Sequence, residues 1–230
     1  MQRGRLLGFG KFGRVFELLH GNDIVMVGKY SERNKYMDAE IEMHSKLQHP
    51  NIVAFIKSYH YGSTSLMCLE YCPNGTLMTI AQREPKVKEV MFYLRQLRDA
   101  LVYVHSMNII HRDVKLSNLL LKGTVVKLAD FGLSAYGPTA EGYIGTEVYM
   151  APEIIQRQTY NFLIDVWALG VCGYALLHDG KSPFEVPDDD ELQVGRYYIQ
   201  NIMLPDDVLP ALKPCFLRVD SRPNIHELQL

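Results

Sequence analysis

The residues best suited to chemistry lie within residues 110–133, in two polar clusters that each follow a short apolar run. Asp113, Asn118 and Asp130 supply hard oxygen ligands or proton acceptors, and Lys115 adds a cation beside them. Magnesium prefers carboxylate and carbonyl oxygens in combination with phosphate oxygens. The segment therefore predicts a site for a metal-bound nucleotide phosphate, and phosphoryl transfer is the chemistry that such a site supports.

The same segment contains a longer motif, which reads H-R-D-V-K-L-S-N at 111–118 and D-F-G at 130–132. It resembles the catalytic loop and the magnesium loop of the protein kinase superfamily. Since each residue type makes up roughly 5% of an average chain, a chance match to five fixed residues is expected in far fewer than about one chain in a thousand. The motif therefore disfavours the alternative, a solvated turn between two buried strands.

The resemblance implies a role for each polar residue of this segment. Asp113 would accept or orient the proton of a substrate hydroxyl, and Lys115 would neutralise charge on the transferring phosphoryl group. Asn118 would bind a second magnesium ion, and Asp130 would bridge the metal to the β- and γ-phosphates. Lys115, and Thr146 in G-T-E-V-Y, resemble the serine/threonine-specific members. The implied activity is transfer of the γ-phosphoryl group of Mg-ATP to serine or threonine hydroxyls of proteins.

Composition and charge bound the remaining classes. The 230 residues include 24 basic and 26 acidic side chains, so no bulk positive charge favours nucleic acid or an anionic membrane. The longest strongly apolar run, residues 166–177, is shorter than the roughly 20 residues that span a bilayer, and residues 1–10 contain no long apolar signal core. The four cysteines form no C-x-x-C pair. A reduced intracellular compartment, cytoplasmic or nuclear, fits this usage best.

A glycine-rich segment near the beginning of the chain contains Gly8, Gly10 and Gly13 between apolar stretches that alternate as in a β-hairpin. Glycines let backbone N–H groups approach phosphate oxygens. A Rossmann turn would need a helix directly afterwards and an acidic residue about 20 positions later. A second β-rich run and a lysine stand there instead. The kinase glycine-rich loop is therefore favoured, with Leu7 and Val15 beside the nucleotide.

The β-rich run I-V-M-V-G-K at 24–29 ends in a cation. By order and spacing, Lys29 resembles the family's lysine that binds the α- and β-phosphates. Val27 stands where the family usually has alanine above the adenine ring, so a tighter nucleotide pocket is expected.

Residues 36–47 have a helical pattern and lead into Q-H-P-N-I-V, which resembles the family's exit from helix C. Counting back from this exit, Glu40 is the expected partner of Lys29. The spacing between them is shorter than the family usually has, so the connector or the first turns of helix C are missing. His44, one turn after Glu40, falls where the family stacks an apolar spine residue, and an ordinary packed histidine is the favoured interpretation.

An apolar strand followed by a Pro-Asn-Gly turn, at residues 65–77, is the strongest domain-boundary signal. It resembles the inter-lobe hinge and predicts a small lobe at about 1–70, a hinge at about 70–75 and a large lobe at about 76–230. The resemblance implies that Leu69 lies behind the adenine, that the Glu70 carbonyl and Cys72 N–H pair with its edge, and that Leu120 contacts the nucleotide. Cys72 is interpreted as pocket wall rather than as a reactive thiol.

Two helical patterns predict the core of the large lobe. Residues 87–107 have apolar side chains at helical spacing, and residues 166–177 form a continuous apolar run. Asp165 resembles the family's buried anchor, whose partners are backbone N–H groups of the H-R-D loop. Arg222 resembles the arginine that pairs with the A-P-E glutamate, here Glu153. Residues 208–220 are shorter than usual and rich in proline, so trimmed closing helices are expected.

Residues 130–153 resemble the activation segment, which closes with M-A-P-E. In many kinases the arginine equivalent to Arg112 receives a phosphate from this segment. Thr139 and Tyr143 are candidate acceptors for an activating kinase or for autophosphorylation, and Glu141 between them could mimic part of that charge. Control by phosphorylation, constitutive order and neither of these are the open alternatives. An acidic stretch at 188–191 is a solvated loop or attracts basic substrates.

The resemblance extends from residue 4 to about residue 228 and implies an α+β, bilobal fold with a five-stranded small lobe and a mainly helical large lobe. The pattern G-x-x-x-Y-M-A-P-E is similar to that of calmodulin-dependent, polo-like and Aurora-like kinases and does not choose among them. A pseudokinase that binds ATP as a scaffold is one alternative; the shortened helix C favours it and the complete set of catalytic residues counts against it. A small-molecule phosphotransferase is another, and the platform at residues 145–153 counts against it.

Overall fold

The computed structural model describes residues 1–10, 13–184 and 204–230. Positions 11 and 12 of the glycine-rich segment and the acidic stretch at 188–191 lie outside the described residues. The described chain forms a small lobe, with an antiparallel sheet and one helix, and a larger lobe that is mainly helical. This confirms the α+β, bilobal prediction.

The small lobe contains a five-stranded antiparallel sheet, as predicted, with the strand order β1-β2-β3-β5-β4. Glycines with positive φ, Gly21 at 62° and Gly62 at 54°, form the turns of the β2–β3 and β4–β5 hairpins, where most other residues would be strained. The strands are β1 (Gln2–Gly10), β2 (Gly13–His20), β3 (Asp23–Glu32), β4 (Phe55–Tyr61) and β5 (Thr64–Leu69).

The register of the sheet places several predicted nucleotide-binding residues on one face. Val15 of β2 is opposite Lys29 of β3, and Val27 is opposite Leu69 of β5. Directly opposed residues of antiparallel strands share a face, and so do residues two apart on one strand. These four side chains therefore face the same side of the sheet. Leu7 lies at an irregularity of the β1–β2 pairing and is 40% exposed.

Helix α1 (Lys35–His44) follows β3 and begins at Asn34, whose side chain accepts hydrogen bonds from two N–H groups of the first turn. The sequence predicted a helix over 36–47, and this end was wrong by three residues. After His44 the backbone N–H groups of Lys46 and Leu47 bond three residues back instead of four, which tightens the chain into a turn. The turn brings Leu47 into the core of the large lobe, where it is buried.

Helix α5 (Leu163–Leu177) is the centre of the large lobe and begins three residues before the predicted apolar run. It is apolar on all sides, as expected for a helix surrounded by protein, and Trp167 is fully buried. A Cβ at Gly173 would lie 2.9 Å from Cδ1 of Leu94 on α3, so glycine permits this close helix contact. The other helices of this lobe are α2 (Leu77–Ala81), α3 (Val87–Ser106) and α4 (Pro152–Ile155).

Three pairs of short antiparallel strands shape the loops of the large lobe. The β7–β8 hairpin begins directly after Asn118 and ends two residues before Asp130, so it holds both predicted metal ligands at its base. The pairs are β6 (Ile109–Ile110) with β9 (Ala135–Tyr136), β7 (Leu119–Lys122) with β8 (Val125–Leu128), and β10 (Thr139–Ala140) with β11 (Tyr160–Asn161).

The closing part of the chain, residues 204–230, contains only the 3₁₀ segments Pro210–Phe216 and Ile225–Glu227, in agreement with the prediction of trimmed closing helices. Two further 3₁₀ turns, Leu116–Asn118 and Glu147–Tyr149, lie at the candidate site. Within the described ranges, no helix has the length and apolar character needed to cross a membrane.

Candidate active site

Lys29 joins the two lobes through ion pairs. Its Nζ donates to the two carboxylate oxygens of Glu40, at 2.6 and 2.9 Å, and to Oδ1 of Asp130 at 3.0 Å. Lys29 and Glu40 are buried, whereas the Asp130 side chain is 40% exposed. The short segment between β3 and α1 therefore still places Glu40 against Lys29 and keeps one carboxylate, Asp130, partly open to the cleft.

The charges in this cluster shift one another's titration. Burial alone would lower the pKa of Lys29, but the carboxylates of Glu40 and Asp130 outweigh it and raise that pKa. Burial would raise the pKa of Asp130, but Lys29 holds it below its usual value. Burial raises the pKa of Glu40, and the contact with Lys29 offsets this only in part. Lys29 is therefore a fixed cation and Asp130 a fixed anion near neutral pH.

Asp113 lies at the centre of a second group of polar side chains. Its Oδ1 accepts a hydrogen bond from Oγ1 of Thr146 at 2.7 Å, and its Oδ2 accepts one from Nδ2 of Asn118 at 3.0 Å. Nζ of Lys115 lies 2.8 Å from the same Oδ2 and donates to Thr146 Oγ1 at 2.8 Å. The structure thus brings together the predicted catalytic aspartate, the lysine two residues later and the threonine of the G-T-E-V-Y segment.

A buried aspartate fixes the backbone of the loop directly before Asp113. Asp165 on α5 accepts hydrogen bonds from the backbone N–H groups of His111, at 2.9 Å, and Arg112, at 3.0 Å. His105 on α3 contacts the same carboxylate through Nε2 at 2.9 Å. Burial would raise the pKa of Asp165, but the hydrogen bond from His105 and the neighbouring donors lower it. These contacts stabilise the left-handed conformation of Arg112, whose φ is 68°.

The ring of Phe131 lies between two histidines and links the lobes. Its centroid is 4.9 Å from the ring of His44 and 4.9 Å from that of His111. His44 Nε2 lies 2.7 Å from the carbonyl oxygen of Val53, to which it donates, and burial lowers the pKa of His44 to about 4. His44 is therefore a packed neutral histidine, and its Nδ1 has no hydrogen-bond partner among the residues that the structure describes.

The two groups of polar side chains are joined through the backbone. The N–H of Ala129, next to Asp130, donates to the carbonyl oxygen of Asn118 at 2.9 Å. Because Nδ2 of Asn118 is bound to Asp113, the amide is oriented, and its side-chain oxygen makes no hydrogen bond within the described ranges. The carboxylate of Asp130 and this oxygen are the donors that a hard cation requires.

Comparison with known proteins identifies the family to which this fold and these residues belong. Residues 1–211 match the model of the protein kinase domain. The chain belongs to the protein kinase family. Over 220 residues it is 36% identical to Aurora kinase of Eremothecium gossypii. This alignment covers 89% of this chain and 59% of the relative. It is similar to the cell cycle serine/threonine-protein kinase CDC5/MSD2 of Saccharomyces cerevisiae, at 37% identity over 203 residues, 81% of this chain and 29% of the relative.

A third relative matches nearly the whole chain. The probable serine/threonine-protein kinase CCRP1 of Zea mays is 36% identical over 249 aligned positions, which cover 98% of this chain and 40% of the relative. The chain thus spans less than two thirds of the length of these three relatives.

Protein kinases use ATP and magnesium, and the donor set present here fits both. No group of three or more His, Cys, Asp or Glu side chains in the described part of the chain could hold a metal ion by itself. One carboxylate and one amide oxygen, on Asp130 and Asn118, suit magnesium that also binds phosphate oxygens, because magnesium keeps several ligands outside the protein. Lys29 would supply a cation for the phosphates of such a nucleotide.

The hinge of this kinase-family chain places Cys72 in a half-buried position. Burial, together with the nearby charge of Glu70, raises the pKa of the Cys72 thiol to about 11. A thiol that stays protonated is a poor nucleophile, which favours the interpretation of Cys72 as pocket wall. Leu120, on β7, is half-buried and forms an isolated antiparallel β-bridge with Thr76, which directly precedes α2.

Arg112, the expected phosphate receiver, is already bound to the activation segment. Its Nε donates to the carbonyl of Leu133 at 2.5 Å, and its terminal nitrogens lie 3.4 Å from Ser134 O and Tyr160 Oη. Glu141 accepts a hydrogen bond from Thr159 at 3.0 Å, so the structure pairs it with Thr159 instead of with Arg112.

Sequence reasoning missed three contacts that support the site. His105, which binds Asp165, appeared only as a member of a helical pattern. Asn51, whose Nδ2 donates to the carbonyl of Val126 at 3.0 Å, ties the exit from α1 to β8. The side chain of Glu70 binds lysines of the large lobe. The resemblance pointed to Asp165, but no local pattern identifies its partner His105, which is 60 residues away.

Proposed function

We propose that this chain is an ATP-dependent protein serine/threonine kinase, which transfers the γ-phosphoryl group of Mg-ATP to hydroxyl groups of proteins. The observation that carries the proposal is the Asp113 carboxylate, which is fixed by Asn118 and Thr146 in the loop that α5 anchors. The names of all three relatives above describe kinases, and two of them specify serine/threonine.

Each side chain has a task in this proposal. Asp113 orients the substrate hydroxyl and accepts its proton at a carboxylate oxygen, since both oxygens already have fixed hydrogen-bond partners that set their direction. Lys115 lies beside it and stabilises negative charge on the transferred group. Lys29 binds the α- and β-phosphates. Asp130 and Asn118 would hold magnesium, which supplies electrostatic stabilisation of the phosphate oxygens.

The test is incorporation of labelled γ-phosphate from Mg-ATP into a generic basic protein and into the chain itself. The substitution Asp113→Asn removes the proton acceptor and keeps the shape, so we expect the rate of transfer to fall about 10²- to 10⁴-fold while nucleotide binding persists. The matched control is Asp220→Asn, since that side chain is 73% exposed and lies far along the chain from the site. Binding of Mg-ATP by the wild type without any transfer would support the pseudokinase alternative.

Regulation and location are further parts of the proposal. Thr139 is exposed in β10, and Tyr143 donates a hydrogen bond from its hydroxyl to Glu147 at 3.0 Å. We propose these two residues as acceptors for an activating kinase or for autophosphorylation, and peptide mass spectrometry after incubation with Mg-ATP tests them. All four cysteines are free thiols, which supports work in a reducing cytoplasmic or nuclear compartment.

A further inference from the structure

Directly after β5, the side chain of Glu70 contacts both lobes. Its Oε2 accepts a hydrogen bond from the backbone N–H of Ala54, just before β4, at 3.2 Å. Its Oε1 lies 2.9 Å from Nζ of Lys122, and its Oε2 lies 2.9 Å from Nζ of Lys127. The backbone N–H of Glu70 also donates to the carbonyl of Ala54 at 2.9 Å. One carboxylate therefore binds the small lobe and two cations of the large lobe.

The two lysines lie on the hairpin that carries the predicted metal ligands. Lys122 ends β7, which begins directly after Asn118, and Lys127 lies in β8, which ends two residues before Asp130. The hairpin has only four residues in each strand and a regular register, so a displacement of its lysines would also displace the residues at its base. The Glu70 side chain is thereby connected to the position of both metal ligands.

The contacts have the character of a defined ion cluster. The side chains of Glu70 and Lys127 are only 14% and 12% exposed, so solvent screens their attraction less than it screens a surface pair. Burial would raise the pKa of Glu70, but the hydrogen bonds from Lys122 and Lys127 outweigh it and lower that pKa. The carboxylate is consequently charged at neutral pH.

We propose that Glu70, Lys122 and Lys127 form a hinge clamp, a set of positioning residues that fixes the distance between the adenine edge and the metal ligands. The main chain of Glu70 is the predicted contact for the adenine, and its side chain fixes the hairpin that bears Asn118 and Asp130. The clamp thus keeps the distance between the adenine contact and the metal ligands equal to the length of one nucleoside diphosphate. This inference rests on the proposed function, because it concerns the same nucleotide site.

The experiment compares the binding of Mg-ADP and of adenosine by titration calorimetry. Adenosine contacts only the adenine end of the cleft, whereas Mg-ADP spans the distance that the clamp fixes. We expect Glu70→Gln and Lys127→Gln each to raise the Kd of Mg-ADP about three- to tenfold and to change the Kd of adenosine less than about twofold. Since Glu70→Gln already breaks the contact that Lys127→Gln breaks, the double variant should lose no more than Glu70→Gln alone.

Two further variants separate positioning from folding. Lys127→Arg keeps the charge and should bind Mg-ADP within about twofold of the wild type. Lys122→Gln removes a side chain that is 53% exposed, so the fold tolerates it, and the Kd of Mg-ADP should rise by about twofold or more. The matched control is Lys88→Gln, an exposed lysine in the first turn of α3, which should leave both Kd values unchanged.

The outcomes distinguish this inference from the proposed function. If the wild type binds Mg-ADP and the clamp variants bind it equally well, the clamp is wrong and the kinase proposal is unaffected. Equal losses for adenosine and Mg-ADP, or losses that multiply in the double variant, would likewise overturn the clamp. If the wild type binds no Mg-ADP, both proposals are overturned together.

Discussion

Lys29 and Asp113 face the same cleft from different lobes, and the two lobes hold them differently. In the small lobe, the separate apolar cluster consists of Leu18, Leu66 and Cys68 with a few partly buried neighbours. Lys29 is held by ion pairs with residues outside that cluster. In the large lobe, one continuous core surrounds α5, and Asp165 on that helix fixes the loop of Asp113.

The difference indicates which half of the site can move. Of the ion pairs of Lys29, the one to Asp130 crosses the lobe boundary, and its carboxylate is 40% exposed, so it can be remade at a smaller cost than the contacts of a close-packed core. The Asp113 side is therefore the fixed half of the site. The Lys29 side depends on α1 and on the contact of His44 with Phe131, which is where this chain departs most from the expected pattern. Three predictions test this contrast between the lobes.

The largest effect is expected for Arg222→Leu in the large lobe. Arg222 binds Glu153 through two contacts of 2.6 and 3.2 Å, and both side chains are almost fully buried. Removal of the cation leaves a buried carboxylate without its partner, so the free energy of unfolding should fall by about 3–5 kcal/mol, measured by urea denaturation. Arg218→Leu is the control, since Arg218 is 87% exposed. A loss below about 1 kcal/mol for Arg222→Leu would contradict the view that this lobe is the rigid one.

The next effect concerns the contact between His44 of the small lobe and Phe131 of the large lobe, and it depends on pH. In the fold, burial lowers the pKa of His44 to about 4. The positive charges of Lys29 and His111 also lower it, whereas the hydrogen bond to Val53 and the charge of Asp130 partly oppose the shift. The unfolded chain has the ordinary value of about 6.5, so between these values only the unfolded chain binds the proton and stability falls as pH falls. From pH 7 to 5 the loss should be about 2 kcal/mol.

The variant His44→Leu should lack this part of the pH dependence while it keeps that of His111, whose pKa burial also lowers. Urea denaturation at pH 7 and pH 5 gives the comparison, and thermal unfolding of both proteins at pH 7 shows that the variant folds. An identical pH dependence in the two proteins would show that the pKa of His44 keeps its ordinary value, and hence that water reaches the contact between His44 and Phe131.

The smallest effect is a difference between two glycine substitutions. A Cβ at Gly170 in α5 would lie 2.5 Å from Cβ of Cys215, whereas at Gly28 in β3 it would meet the side-chain tips of Leu66 at 2.8 Å and Leu18 at 3.0 Å. Side-chain tips in a small cluster can shift, but a Cβ close to the backbone cannot. Gly170→Ala should therefore destabilise by about 1–2 kcal/mol more than Gly28→Ala, measured by urea denaturation. Equal losses would mean that the two cores yield equally.

Local patterns in the sequence predicted a large part of the fold. Alternating apolar residues and glycines predicted the first hairpin, and periodic apolar residues predicted α3 to within one residue of its end. The same reasoning misplaced the end of α1 by three residues, because Leu47 continues the helical pattern while its side chain packs into the other lobe. Boundaries fail where a tertiary contact competes with the local pattern.

The sequence by itself determined the types and the order of the candidate site residues, since Lys29, Asp113 and Asp130 stand in motifs whose spacing is local, and it also indicated Glu40 as the partner of Lys29. Only the tertiary structure decided that Lys29 also contacts Asp130, that His105 supports Asp165, and that Glu70 binds Lys122 and Lys127. Each of these contacts joins segments that lie far apart along the chain or in different elements. Their distances depend on how the lobes pack, and packing is a property of the whole chain rather than of any one stretch.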